Sequence, residues 1–218
     1  ISLKRKIQFL SIGMVAALGV TASLLVHKMM SKQKELNLQS FSSYAQSLES
    51  AIAAQFYERY GDVQAFAVNP VFLSGNVTAV EENLNDYVRL YGIYDLILFI
   101  APNGKLIASN TLDVAGKKIP SEKIKDADFS KEKWFQAALK GEFSVDKDHG
   151  FDGTVFDGPT NDPYTEAVVG QKSWVTGFTA PVKNKSGQII GIISNRANMK
   201  WVEGEFVNSY LAMAAGGM

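Results

Sequence analysis

The sequence predicts an α+β protein: an N-terminal transmembrane helix, a long amphipathic helix, and then an antiparallel sheet of about five strands flanked by helices. Three observations carry this. An uncharged run of twenty residues lies near the N-terminus, from Ile7 to Val26. A proline-free stretch with helical periodicity follows it. From Tyr94 onward the pattern changes to short apolar runs separated by glycine-containing turns such as Asn103-Gly104 and Ser186-Gly187.

A helix rising about 1.5 Å per residue crosses the hydrocarbon core of a bilayer, roughly 30 Å, in about twenty residues. No small-residue cleavage pattern closes the run, which favours an uncleaved signal anchor over a removed signal peptide. Lys4, Arg5 and Lys6 precede it, and Lys28, Lys32 and Lys34 follow. The tighter N-terminal cluster sets the N-terminus inside and the remaining chain outside. Residues 1–30 are read as a cytoplasmic stub and anchor.

Residues 31–70 are read as the long helix. Apolar residues recur at Phe41, Ala45, Leu48, Ile52, Phe56, Tyr60, Val63 and Phe66, in steps of threes and fours that mark one helical face. That stripe is expected to bury in part against the protein's own sheet and in part against the same helix of a second copy, giving a homodimer. Asn69-Pro70 ends the helix.

Residues 71–200 form the predicted lobe. Glu81–Tyr91 reads as a helix, Tyr94–Ile100 as a strand, and Leu106–Ser109 as its partner across the Asn-Gly turn. Ser130 is expected to cap a helix over Lys131–Lys140 that Gly141 closes. Glu142–Val145 reads as a short strand and Gly150–Pro163 as a loop. Ala167–Gln171, Trp174–Val182 and Gln188–Ser194 read as strands, with the Lys183–Gly187 turn between the last two. Residues 201–218 are assigned to an exit helix that begins near Met199.

Lys and Arg together number 22, as do Asp and Glu, so no basic field draws nucleic acid. The chain has no cysteine, which excludes disulfides, thiolate metal sites and cysteine nucleophiles. Of its two histidines, His27 lies at the membrane edge, and His149 alone builds neither a triad nor a zinc cluster. No glycine-rich phosphate loop follows a strand. No enzymatic activity, cofactor or metal is therefore assigned.

Between Glu142 and Glu166 lie Asp146, Asp148, Asp152, Asp157 and Asp162, with Lys147 as the fixed positive charge. The stretch is either an anionic rim for a cationic ligand such as an amine, a set of oxygen ligands for Ca²⁺, or a solvated acidic loop. Asp146–Gly153 lacks the bidentate glutamate of a calcium loop.

Several local sequences carry a resemblance. They are the hairpin Ile97–Asn110, the aromatic-containing run Asp128–Ala138, and the pair Phe178–Val182 and Gly187–Ile193. Together they resemble the extracytoplasmic Cache domain, a PAS-like sensor fold of bacterial methyl-accepting chemotaxis receptors and sensor kinases, over residues 31 to 200. The resemblance implies a small-molecule ligand held between the sheet and the loop-helix layer. By position, the ligand-binding residues it implies are Trp134, Phe135, Tyr164, Glu166, Trp174 and Thr176, with Asp146 and Asp148 on the acidic rim. Members that bind free amino acids carry an Arg two residues before the Trp, a Tyr five residues before that Arg, and an Asp three residues after the Trp. Glu132, Ala127 and Ala137 stand there instead, so that signature is absent.

Many members continue into a second lobe and a second membrane helix, and Glu205–Leu211 resembles the linker between lobes. The function implied is extracytoplasmic sensing by a chemoreceptor of the bacterial inner membrane, with the signal passing through the membrane helix. The alternatives are the sensor domain of a histidine kinase or diguanylate cyclase, or an anchored protein-interaction module without a small ligand.

Overall fold

A computed structural model describes residues 3–208, with the side chains of all but residues 3–12, 15, 205 and 207. The chain divides into two compact units, Ile1–Ser50 and Ala51–Met218. The division falls within one helix, α1, which runs from Leu3 to Ala67.

In the first unit α1 carries local pairs one turn apart, Lys32 with Glu35 at 3.0 Å and Gln33 with Asn37 at 2.9 Å. Leu38 and Phe41 are exposed. Among the described residues no helix is long and apolar enough to cross a membrane. The anchor predicted over Ile7–Val26 lies in part on side chains outside the description.

In the second unit the end of α1 buries Tyr60, Val63 and Phe66 and half-buries Phe56, four positions of the predicted stripe, and buries Ala67 beside them. The Asn69 side chain accepts a hydrogen bond from the Val71 amide (3.0 Å), turning the chain into a 3₁₀ turn, Pro70–Leu73. Helix α2, Val77–Tyr91, starts one turn earlier than predicted because Asn76 caps it through the Ala79 amide (3.2 Å). Gly92 ends it at φ +70°.

The five strands are β1 (Tyr94–Ile100), β2 (Leu106–Ser109), β3 (Val155–Asn161), β4 (Trp174–Lys183) and β5 (Ile189–Asn198). Their order is β2-β1-β5-β4-β3, and every neighbouring pair is antiparallel. The last strand of the chain thus lies at the centre. One face packs on α1 and α2 through Ile97, Phe99, Phe178, Ile193 and Ala197. The other packs on α3 (Lys133–Lys140), α4 (Pro163–Val169) and a 3₁₀ turn, Ser121–Ile124, through Leu96, Leu98, Ile100 and Ile192. Strand β1 is covered on both faces, which explains its apolar run from Leu96 to Ile100. Asn110 closes the β1–β2 end: its Oδ1 accepts from the Ile97 amide (2.8 Å) and its Nδ2 donates to the Leu112 carbonyl (3.0 Å).

Four local expectations are corrected. Gly150–Pro163 is not all loop, because Val155–Asn161 forms edge strand β3. Pro159 is tolerated there because the outer side has no partner strand, and the register shifts between Asp157 and Thr160. Ala167–Gln171 is not a strand. Asp162 caps α4, Pro163 begins it, and Gly170 ends it. Glu142–Val145 is not a strand; Ser144 donates to the Thr154 carbonyl (2.9 Å), and Asp146 bridges to Phe151. Ser130 is not the cap of α3, which begins two residues later with Glu132 at the capping position; the Ser130 amide instead donates to Asp128 (3.0 Å). Of the predicted exit helix, Lys200–Val202 is α-helical and Glu203–Val207 a wider π-type turn. Its remainder lies outside the described residues.

Candidate ligand site

Asp157 of β3, Gly177 of β4 and Arg196 of β5 stand opposite one another in register, so they form a row across three strands on the α3 face. Gly177 is what lets the outer two meet. A Cβ there would overlap Arg196 Nη1 and Asp157 Oδ1. Arg196 is 1% exposed. Its Nη1 donates to both Asp157 oxygens, at 2.9 and 3.0 Å. Its Nε lies 3.6 Å from Asp162 Oδ2, an ion pair outside hydrogen-bond range. The guanidinium carbon sits 4.2 Å from the centre of the Trp134 ring. Two carboxylates and a ring face thus offset the cost of removing a guanidinium from water. Its Nη2 has no hydrogen-bond partner.

A cavity of about 510 Å³ opens beside this group. The start of α3 supplies Lys131, Glu132, Lys133 and Trp134. Strand β3 supplies Asp157, Gly158, Thr160 and Asn161. Asp162 and Pro163 come from the start of α4, and Arg196 from the sheet. Three basic and three acidic side chains line it, so the wall is balanced rather than of one sign. Asp162 is held by its cap: it accepts from the Tyr164 amide (3.3 Å) and the Thr165 hydroxyl (2.7 Å). Glu132 accepts from the Tyr164 hydroxyl at 2.9 Å. Burial first, and then the bond to Glu132, push the Tyr164 pKa up to about 12, so the phenol stays a donor at neutral pH.

The residues predicted for the site are not brought together. Trp134 lines the cavity, and Tyr164 touches its wall through Glu132. Phe135 is buried in the apolar layer under α3, and Glu166 lies on α4 outside the lining. Strand alternation carries Trp174 and Thr176 to the α1 face. Trp174 is 58% exposed there, and Thr176 is buried with its hydroxyl unpartnered. Asp146 lines a different cavity against α1, and Asp148 lies exposed on the same loop.

Sequence reasoning missed Arg196 because it ended the last strand at Ser194. The available signal was parity: Arg196 falls two and four residues beyond Ser194 and Ile192, on the same strand face. Asp157 and Asp162 were counted among the acidic residues of the loop, but their assignment to a buried pair needed β3.

No protein-family model matches the chain, and no curated protein matches it. Solved structures do. The domain described as the extracellular part of histidine kinase rpHK1S-Z16 superposes with TM-score 0.55 at 12% identity, over 75% of this chain and 58% of that one. The Vibrio cholerae histidine kinase DctB sensor domain gives 0.51 at 17% identity, over 80% and 60%. The ligand-binding domain of Campylobacter jejuni chemoreceptor Tlp3, in complex with L-valine, gives 0.52 at 16%, over 78% and 63%. The chain spans about three fifths of the length of each. This chain has the Cache-like fold of the extracellular sensor domains of histidine kinases and chemoreceptors.

Proposed function

We propose that the chain is the ligand-sensing part of a bacterial transmembrane receptor, a chemoreceptor in the leading reading, and that it binds a small molecule in the cavity beside Arg196. The observation that carries this is a buried guanidinium whose Nε and Nη2 lack hydrogen-bond partners, at the wall of a concave, charge-balanced site. An unpartnered buried donor is costly, and a ligand acceptor relieves that cost. The ligand we infer carries both an acceptor group for Arg196 Nη2 and a donor or cationic group for the carboxylates of Glu132 and Asp162. Arg196 already occupies one face of Trp134. The neighbour Tlp3 holds L-valine, and the PctC ligand-binding domain of Pseudomonas aeruginosa holds GABA, both small molecules with two charged ends. The amino-acid signature is absent from this chain, so its contacts to such a ligand would differ.

The uncharged run Ile7–Val26 supports anchoring in the inner membrane with the lobe outside. The exposed Leu38 and Phe41 support pairing of α1 with a second copy. Binding in the cavity would bias the packing of the sheet against its helices, and α1 would carry that bias toward the membrane.

The test is a thermal-shift screen of the full chain in nonionic micelles against amines, amino acids, carboxylates and divalent cations. A ligand that binds the folded state raises the melting temperature by mass action. Dipolar compounds are expected to stabilise, whereas stabilisation by simple amines alone would contradict the Arg196 assignment.

A further inference from the structure

A second cavity, of about 390 Å³, opens on the opposite face of the sheet, where α1 meets β3 and β4. Its wall is aromatic. Helix α1 supplies Phe56, Tyr57 and Tyr60, strands β3 and β4 supply Phe156 and Phe178, and Phe151 comes from the loop before them. The rings brace one another. Tyr57 stacks on Phe151 at 4.5 Å with planes 14° apart, Phe56 meets Phe156 edge-on at 5.9 Å, and Phe156 lies 5.3 Å from Phe178. A wall held this way is built before a ligand enters, which lowers the entropic cost of binding.

One charged residue stands in the lining, Asp146. It accepts from the Tyr57 hydroxyl and from the amides of Asp148 (3.1 Å) and His149 (3.2 Å). The bond from Tyr57 is the main cause that holds its carboxyl below the usual range, so it is anionic at neutral pH. The His149 ring lies 3.0 Å from the same carboxylate, outside the lining, and Lys147 is exposed on the same loop. Asp148 and Asp152 add to the negative field felt by Tyr57 and Tyr60. The hydroxyls of the wall are already engaged. The Tyr60 hydroxyl donates to the Ser144 carbonyl (2.6 Å), and the Ser144 hydroxyl accepts from the Phe156 amide (3.0 Å).

Ring faces attract a positive charge through their quadrupole, and a carboxylate at the edge sets the sign. A primary ammonium would bring three N–H donors that need acceptors, and this wall has few to give. A quaternary ammonium brings none. We propose that this cavity binds a small quaternary ammonium ion, at a site separate from the Arg196 cavity. Occupancy there presses directly on α1, the helix that leads toward the N-terminus.

Choline and its uncharged isostere 3,3-dimethyl-1-butanol are the probes, titrated calorimetrically into the full chain in nonionic maltoside micelles. Choline is expected to bind about tenfold or more tighter than the isostere, the factor that a desolvated cation over aromatic faces supplies. Asp146→Asn and Phe156→Leu should each weaken choline while leaving the isostere little changed. Thr160→Trp, which fills the Arg196 cavity from its exposed edge, should leave choline binding intact. Equal affinities for the two probes overturn the proposal, and so does choline that fails to bind at about 10 mM, an affinity too weak for a built site. Loss of choline binding in Thr160→Trp overturns it as well, since that places the cation in the other cavity.

Discussion

Arg196 and Asp157 join across an intervening strand, with Gly177 between them contributing no side chain. The Nη1 of Arg196 reaches both Asp157 oxygens, at 2.9 and 3.0 Å, directly over that glycine. The ion pair therefore ties the edge strand β3 to the central strand β5 in addition to the backbone ladder.

Gly177→Ala should be far more damaging than an ordinary strand substitution. The added carbon overlaps both partners, and one of them is buried with nowhere to go. The expected loss is about 3 kcal/mol, combining overpacking with displacement of a buried ion pair. Chemical denaturation measures it. A loss within the usual strand range of a few tenths would mean the pair is not held as described.

Asp157→Ala strands a buried guanidinium beside Asp162 alone. Removing one partner of a buried pair costs about 3–5 kcal/mol, toward the low end here because Asp157 is partly exposed. Replacing both, as Asp157→Leu with Arg196→Met, should recover most of that loss, since no unpaired charge remains. Denaturation of the two variants side by side gives the comparison, and a double variant as weak as the single one contradicts the pairing.

Asn110→Ala should cost about 2–3 kcal/mol, because it leaves the buried Ile97 amide and the Leu112 carbonyl without their side-chain partner. Slowed amide exchange at Ile97 in the parent and its loss in the variant would be the local signature.

Much of this architecture was legible in the sequence, for separable reasons. The end of α1 declared itself through Tyr60, Val63 and Phe66 at helical spacing, and β1 and β2 through apolar runs flanking Asn103-Gly104. Strand β3 did not, because an edge strand needs only one partner and tolerates glycine and proline, so Val155–Asn161 looks like a turn. The beginning of α4 carried its signal in Asp162-Pro163, a cap followed by a first-turn proline, but the β-branched Val168 and Val169 imitated a strand. The site was less legible still. Trp134 stood out as an aromatic on a helix, whereas the pairing of Arg196 with Asp157 depends on register between strands that are neighbours in space and distant in sequence.

Asp95 predicts a pH dependence. Burial is the main cause that raises its pKa, against lowering by the bond from Asn198 Nδ2 (2.9 Å). A carboxyl raised in the folded state favours folding when protonated. Its contribution is fully present below the ordinary value of 3.8 and is lost as pH rises through the raised folded value. Relative to Asp95→Asn, the parent should therefore lose stability as pH increases through that window, then run parallel above it. A difference that stays flat across the acid range would remove Asp95 as the cause.

Ligand binding beside Arg196 is put to the test by one pair of melting curves. The full chain and its Thr160→Trp variant, in nonionic micelles, are heated with and without the strongest dipolar hit of the ligand screen. Thr160 is exposed on the rim of the cavity, so the tryptophan blocks the site without disturbing the buried pair. The melting temperature should rise for the parent and not for the variant. An equal rise in both would place the ligand elsewhere and contradict binding beside Arg196.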